Sequence, residues 1–148
     1  MTDPFKDMER FMTAFGQNTR GESPEQVALY TNLIREEDQE LWRAVNDLFW
    51  YLNHSTANDD GADNETLVRR CAQVADGVID GIVVRLGLLL SMGIRPDAAW
   101  CEVHRSNMSK LPADGKPRYR EDGKVLKPET FVPPDLVKIV TNSWGVKA

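Results

Sequence analysis

Four carboxylates fall at helical spacing within two apolar stretches of the sequence, where they could bind a metal ion. The first row is Leu33, Glu37, Glu40 and Ala44, and Glu36 precedes Glu40 by one turn. Steps of three and four residues place side chains on one face of an α-helix, so two acids interrupt an apolar face that we expect to be buried. Because an unpaired buried carboxylate is costly, it must be protonated, ion-paired or bound to a metal ion.

A second acidic row, Ala72, Asp76, Asp80 and Val84, has similar spacing further along the chain. If the two rows face each other, four or five carboxylates converge, and their mutual repulsion requires a cation. The basic residues nearest to the rows are Arg35, Arg43 and Arg85. Oxygen ligands alone favour Mg²⁺, or Mn²⁺ in its place, over zinc. A solvated acidic face on each helix is the alternative that the spacing leaves open.

Two glycines, Gly77 and Gly81, lie one turn apart beside the second acidic row. A glycine inside a helix costs roughly 1 kcal/mol relative to alanine. The pair therefore predicts that another helix or a ligand approaches this part of the chain closely, and the sequence leaves both explanations open.

Other catalytic schemes fit the sequence less well. A di-iron helical bundle requires Glu-x-x-His on two helices, and neither His54 nor His104 completes that spacing. The chain has no Walker loop, no GxGxxG and no GxSxG. Cys101 and His104 could form a nucleophile pair, but at a spacing of three residues we interpret them as packing and surface residues.

Helices are the elements that must position these side chains. Apolar periodicity predicts helices over residues 4–15, 24–52 and 65–91, a further helix from residue 96 and a short one over 135–140. Ser23, Pro24 and Gln26 are a start signal for the second helix, with Ser23 as cap and Gln26 completing a capping box. The apolar stripes of the second and third helices include Val45, Leu52, Cys71, Val78 and Ile82. Residues 53–64 read as a loop, and prolines and glycines break regular structure from residue 111 onward.

The composition limits the class of protein. With 148 residues, of which 41% are hydrophobic and 28% charged, the chain is long enough for one globular domain. Its net charge of −5 argues against a general duplex-DNA binder. Cys71 and Cys101 form no CxxC motif, and residues 1–10 are too mixed in charge for a signal peptide. The most apolar stretch, residues 78–94, contains charges and is short for a bilayer, so we expect a cytoplasmic protein without a membrane partner.

Several segments resemble a known enzyme superfamily. Residues 33–40 (LIREEDQE) resemble the EExxE motif of the MazG-like all-α nucleoside triphosphate pyrophosphohydrolases, which include phosphoribosyl-ATP pyrophosphohydrolase and the dimeric dUTPases. Residues 76–80 (DGVID) lie where the second acidic motif of that superfamily, ExxD, is expected. The segments most similar to its phage and bacterial MazG-like branch are EVHRSNMSKL (102–111), DGKP (114–117), REDGKVLK (120–127) and PDL (134–136).

This resemblance implies an all-α bundle of four to five helices, assembled as a homodimer or a dimer of dimers. It implies Mg²⁺-dependent hydrolysis of a nucleoside or deoxynucleoside triphosphate to the monophosphate and pyrophosphate, a housekeeping reaction of the nucleotide pool. Phosphoribosyl-ATP is a less expected substrate. We expect a single domain over residues 1–148, with a helical core to about residue 110 and an irregular, basic segment over about 111–134 that covers the substrate.

The resemblance also assigns roles to individual residues. Glu37, Glu40 and Asp80 correspond to metal ligands, with Asp76 completing the set. Glu36 would bind metal or orient the attacking water, so that Glu36 and Glu37 form the catalytic pair. The residues expected to contact the nucleotide and its phosphates are Asn107, Lys110, Arg120 and Lys124.

Two rival functions remain open at the level of the sequence. The superfamily's second motif has Glu three positions before Asp, whereas this chain has Gln73 before Asp76 and Gly77 before Asp80. That difference favours a non-catalytic nucleotide-binding protein or helical adaptor of the same fold. A third class, nucleic-acid binding through residues 105–127, predicts steeply salt-dependent binding, and we expect no nucleic-acid partner.

Overall fold

The structure is a computed structural model that describes residues 2–54 and 62–146. Within these residues it contains five α-helices: α1 (Pro4–Ala14), α2 (Pro24–His54), α3 (Ala62–Ser91), α4 (Pro96–Met108) and α5 (Leu136–Ser143). The described residues form no strand, only an isolated antiparallel bridge between Tyr119 and Val125. No single helix among them is long and apolar enough to cross a membrane, although α3 and α4 taken together reach that length and composition. The predicted all-α class is confirmed.

The first two helices begin where the sequence predicts. Asp3 caps α1, because its carboxylate accepts a hydrogen bond of 3.1 Å from the N–H of Phe5, and Pro4 occupies the first turn. Ser23 caps α2, because its Oγ accepts from the N–H of Gln26 at 3.2 Å. The predicted loop over residues 53–64 is shorter, since α2 continues to His54 and α3 begins at Ala62. Residues 55–61 of that loop lie outside the described residues.

The side chain of Gln26 fastens the preceding loop instead of closing the predicted capping box. Its Oε1 accepts from the N–H of Asn18 at 2.7 Å, and its Nε2 donates to the Asn18 carbonyl and to the Ser91 Oγ at 2.5 and 2.9 Å. Ser91 is fully buried and donates in turn to the carbonyl of Gly87 at 2.8 Å. Because each buried polar group finds a partner, this network can tie the loop to α2 and α3 without a desolvation penalty.

The internal contacts divide the chain into two compact units, Met1–Met92 and Gly93–Ala148. In the first unit α2 and α3 form a long pair, and α1 packs against α3. In the second unit α4 packs against α5. The predicted change from helical core to irregular segment, near residue 110, therefore lies inside the second unit.

Two glycines let α2 and α3 approach closely as an antiparallel pair. A Cβ atom on Gly77 would lie 3.2 Å from the Cα of Leu41, tighter than most such contacts. Further along the pair, a Cβ atom on Gly87 would overlap the ring of Tyr30. Of the two explanations open for Gly77, the close approach of another helix is the one that the structure shows.

The core of the first unit is small and lies where α1, α2 and α3 meet. Its buried apolar residues are Met8, Met12, Tyr30, Val84, Leu86 and Leu90. The predicted stripes are wrong at Val45, Leu52, Cys71, Val78 and Ile82, which are exposed. Helical periodicity identifies an apolar face but not whether another element covers it, and no element of the described residues covers those positions.

We predict that Gly87→Ala destabilises the protein by about 1–3 kcal/mol, because the new methyl group overpacks against the Tyr30 ring. Alanine would otherwise stabilise a helix by roughly 1 kcal/mol relative to glycine, so a net loss identifies the steric cause. Urea unfolding followed by circular dichroism measures the change.

A Tyr30→Leu background provides the control for this steric prediction, because it removes the ring that the methyl group would meet. Adding Gly87→Ala there should cost clearly less than in the wild type, as expected for two residues in contact. An equal cost in both backgrounds would contradict the proposed overlap.

Candidate metal centre

An open groove of about 420 Å³ runs along the α2–α3 pair. Residues from both helices line it: Glu37, Glu40, Arg43, Ala44, Asp47, Gln73, Asp76, Gly77 and Asp80. The two predicted acidic rows therefore face a common space. Asp47 is an additional carboxylate of this groove, and the step of three after Ala44, which continues the first row, is the signal that could have identified it.

The contact between Leu41 and Gly77 positions the four carboxylates of the two rows. Glu37 and Glu40 lie one turn before Leu41 and directly beside it, and Asp76 and Asp80 stand in the corresponding places around Gly77. Because Gly77 has no side chain, the two backbones come close enough for these acids to line the same groove.

The charges of the groove act on Glu37. Partial burial, followed by the negative charges of Asp80, Glu40, Glu36 and Asp76, raises the pKa of the Glu37 carboxyl above its usual value. Glu37 is half-buried, whereas Glu40, Asp76 and Asp80 are exposed. The expectation that the acids interrupt a buried face is therefore wrong for these three, because they lie on the flank of the helix contact, which is open to solvent.

Within the described residues, two arginines of α3 form ion pairs with carboxylates of α2. Arg70 is ion-paired with Asp47, and Arg85 Nη2 lies 2.6 Å from Asp38 Oδ1. Arg85 also donates to the carbonyl of Gly81 at 2.8 Å, so its side chain folds back over that glycine. Among the carboxylates that line the groove, Glu37, Glu40, Asp76 and Asp80 have no ion pair with a described residue, whereas Asp47 has one.

The donor set fits a hard divalent cation by its chemistry. In the part of the chain that the structure describes, no three Asp, Glu, His or Cys side chains already form a metal-ligating group. The four unpartnered carboxylates nevertheless offer only oxygen donors, which Mg²⁺ and Mn²⁺ prefer. They border an open groove, where exposed side chains can change rotamer to share a cation.

The four predicted substrate-binding residues all belong to the second unit. Lys110 Nζ donates to Asn107 Oδ1 at 2.8 Å, so these two side chains lie together at the end of α4. Arg120 is ion-paired with Asp122, and its N–H donates to the carbonyl of Lys124 at 2.8 Å. The structure therefore places Asn107 beside Lys110 and Arg120 beside Lys124.

Glu102 fastens the chain before α5 to α4, a role that the sequence did not indicate. Its carboxylate accepts from Arg105 Nε and Nη2 at 2.9 and 2.6 Å and from the N–H of Asp135 at 2.7 Å. The Arg105 side chain and this backbone N–H lower the pKa of Glu102 to about 2. The spacing of three residues predicts the Arg105 contact, but no local pattern predicts Asp135.

This is an all-α protein built on a long antiparallel helix pair. The two helices of the pair carry opposed carboxylates along one open groove. Residues 5–107 match the family model described as phosphoribosyl-ATP pyrophosphohydrolase. The chain belongs to this MazG-like all-α pyrophosphohydrolase family, and membership indicates pyrophosphohydrolase activity. No curated protein matches the chain. The match includes the whole of the groove, and the resemblance predicted from the motifs is confirmed.

We predict that Asp80→Asn stabilises the metal-free protein, because it removes a negative charge that acts on Glu37. The gain should be roughly a few tenths of a kcal/mol, since solvent screens exposed charges, and it should shrink as salt is added. Urea unfolding in the presence of a chelator measures it.

Asp47→Asn is the matched control for this electrostatic effect. It neutralises another carboxylate of the same groove, but one that is ion-paired with Arg70. We expect this change to lower stability. A loss of stability for Asp80→Asn as well would mean that repulsion in the groove is not significant.

Proposed function

We propose that this protein hydrolyses nucleoside or deoxynucleoside triphosphates to the monophosphate and pyrophosphate in a Mg²⁺-dependent reaction. The observation that supports this most is the set of four unpartnered carboxylates on one groove in a member of a pyrophosphohydrolase family. The reaction would serve the nucleotide pool of the cytoplasm.

The cation would be held by Glu37, Glu40, Asp76 and Asp80. Mg²⁺, or Mn²⁺ in its place, supplies charge neutralisation for the triphosphate and lowers the pKa of water. Glu37 is a half-buried carboxylate of the groove, and one of its oxygens would bind the cation while the other would accept the proton of the attacking water. Glu36, the adjacent residue on α2, would orient that water.

The second unit would supply contacts to the substrate. Asn107 has an amide that can recognise the nucleotide, and Lys110, Arg120 and Lys124 have cationic groups for its phosphates. Lys110 would exchange its hydrogen bond with Asn107 for one with a phosphate oxygen, which releases the amide of Asn107 for the nucleotide.

Phosphoribosyl-ATP is a second candidate substrate, because the matching family model carries that name. It contains the same triphosphate group, so the same groove would bind it and the same bond would be cleaved. Gln73, a neutral groove residue, supports the remaining alternative of a nucleotide-binding protein without turnover, since it offers no charge to a cation.

We predict that the purified protein releases pyrophosphate from at least one nucleoside triphosphate when Mg²⁺ or Mn²⁺ is present and not with a chelator. Glu37→Gln and Glu40→Gln should lower kcat about 100-fold or more, as for the loss of a positioned proton acceptor or a cation ligand. A coupled pyrophosphate assay over all common nucleotides and phosphoribosyl-ATP gives both the rate and the preferred substrate.

Glu9→Gln is the control, because Glu9 is an exposed glutamate of α1 outside the groove. A rise in Tm on adding Mg²⁺ provides a readout independent of turnover, since ligands that bind only the folded state stabilise it. This rise should be reduced in Glu40→Gln and retained in Glu9→Gln. Full activity of folded Glu37→Gln and Glu40→Gln would refute the proposal, and tight nucleotide binding without turnover would favour the non-catalytic alternative.

We also propose that the protein is a homodimer or a dimer of dimers, held by the apolar residues that α2 and α3 expose. On α2 these residues follow helical spacing at Trp42, Val45, Phe49 and Leu52. On α3 they include Val68, Ile79, Ile82 and Val83. We assign these faces to a second copy of the chain, because exposed apolar surface at helical spacing is typical of an interface between proteins.

We predict that Ile79→Glu dissociates this assembly, because the charge would be desolvated in the interface. Sedimentation velocity should show a dimer or tetramer for the wild type and a smaller species for the variant. Val137→Glu is the control, since Val137 is 79% exposed on α5 and lies outside these faces. A monomeric wild type, or an unchanged assembly in Ile79→Glu, would refute the proposed interface.

A further inference from the structure

Arg43 is the only cationic residue that lines the acidic groove within the described residues. It is exposed and follows Glu40 by three residues on α2. Helical spacing offers it two acidic partners, Glu40 three residues before it and Asp47 four residues further on. Asp47, however, is ion-paired with Arg70. Neither carboxylate pairs with Arg43, which has no ion pair or hydrogen bond among the described residues.

An arginine that borders four carboxylates without pairing with any of them remains available to an anion. The planar guanidinium can donate two parallel hydrogen bonds to the oxygens of one phosphate, a geometry that lysine cannot match. Arg70 contributes to this availability indirectly, because it occupies one of the two carboxylates within helical reach of Arg43.

We propose that Arg43 binds the terminal phosphates of the triphosphate substrate, the part that leaves as pyrophosphate. This inference rests on the proposed function and adds a residue to it. Glu37 precedes Arg43 by six residues, which is about 9 Å along the helix axis. The proposed function puts the scissile bond at the Glu36 and Glu37 end of the groove, and the inference assigns the leaving group to the Arg43 end.

Product inhibition tests this assignment, because the two products report on the two ends of the substrate. The probes are inorganic pyrophosphate and the nucleoside monophosphate, each measured with wild type, Arg43→Ala, Arg43→Lys and Arg35→Ala. Arg35 is the matched control, an exposed arginine of α2 that does not line the groove.

We expect the inhibition constant for pyrophosphate to rise about tenfold or more in Arg43→Ala, as for the loss of a charged hydrogen bond. The rise should be smaller in Arg43→Lys and absent in Arg35→Ala. The inhibition constant for the monophosphate should stay unchanged in all of them. An unchanged pyrophosphate constant in Arg43→Ala, or an equal rise for both products, would overturn the inference.

Calorimetric binding of pyrophosphate with Mg²⁺ to the same four proteins separates this inference from the proposed function. If the wild type turns over triphosphates but Arg43→Ala binds pyrophosphate normally, the inference is wrong and the function stands. If the wild type shows no turnover but binds pyrophosphate, and Arg43→Ala does not, the anion-binding role stands and the proposed catalysis fails.

Discussion

The close approach of α2 and α3 is the constraint on which the rest of the first unit depends. Gly77 admits Leu41 to within contact of the backbone, and Gly87 accommodates the ring of Tyr30. A larger residue at either position would separate the helices and, with them, the two rows of carboxylates. The structural core and the candidate site therefore both require this close approach. The glycines of α3 permit it, although glycine has a low helix propensity.

The α2–α3 pair contains some carboxylates that form ion pairs with arginines and others that do not. Arg70 and Arg85 engage Asp47 and Asp38, and these ion pairs join α2 to α3. Partial burial, followed by the charges of the nearby acids, raises the pKa of Glu37. Unpaired like charges beside paired ones form an arrangement that a bound cation would stabilise, as the proposed function requires.

Sequence patterns predicted the helices and the two acidic rows well, because both depend on local periodicity and capping. The Ser23 cap and the start of α4 at Pro96 are examples. The patterns did not predict the exposure of Val78 and Ile82, since exposure depends on which elements cover a face. They also misplaced the side chain of Gln26, whose partners are in a loop and at the far end of α3.

In the second unit, local ion pairs change how the basic segment should be interpreted. The sequence shows a run of positive charge, but Arg105, Arg118 and Arg120 are each paired with a carboxylate a few residues away. A phosphate that binds one of these arginines must first displace its partner, whereas an amide partner, as at Lys110, is displaced without separating opposite charges. Lys110 is therefore better placed to contact a phosphate than these three arginines, and the inference above assigns that task to Arg43 on α2.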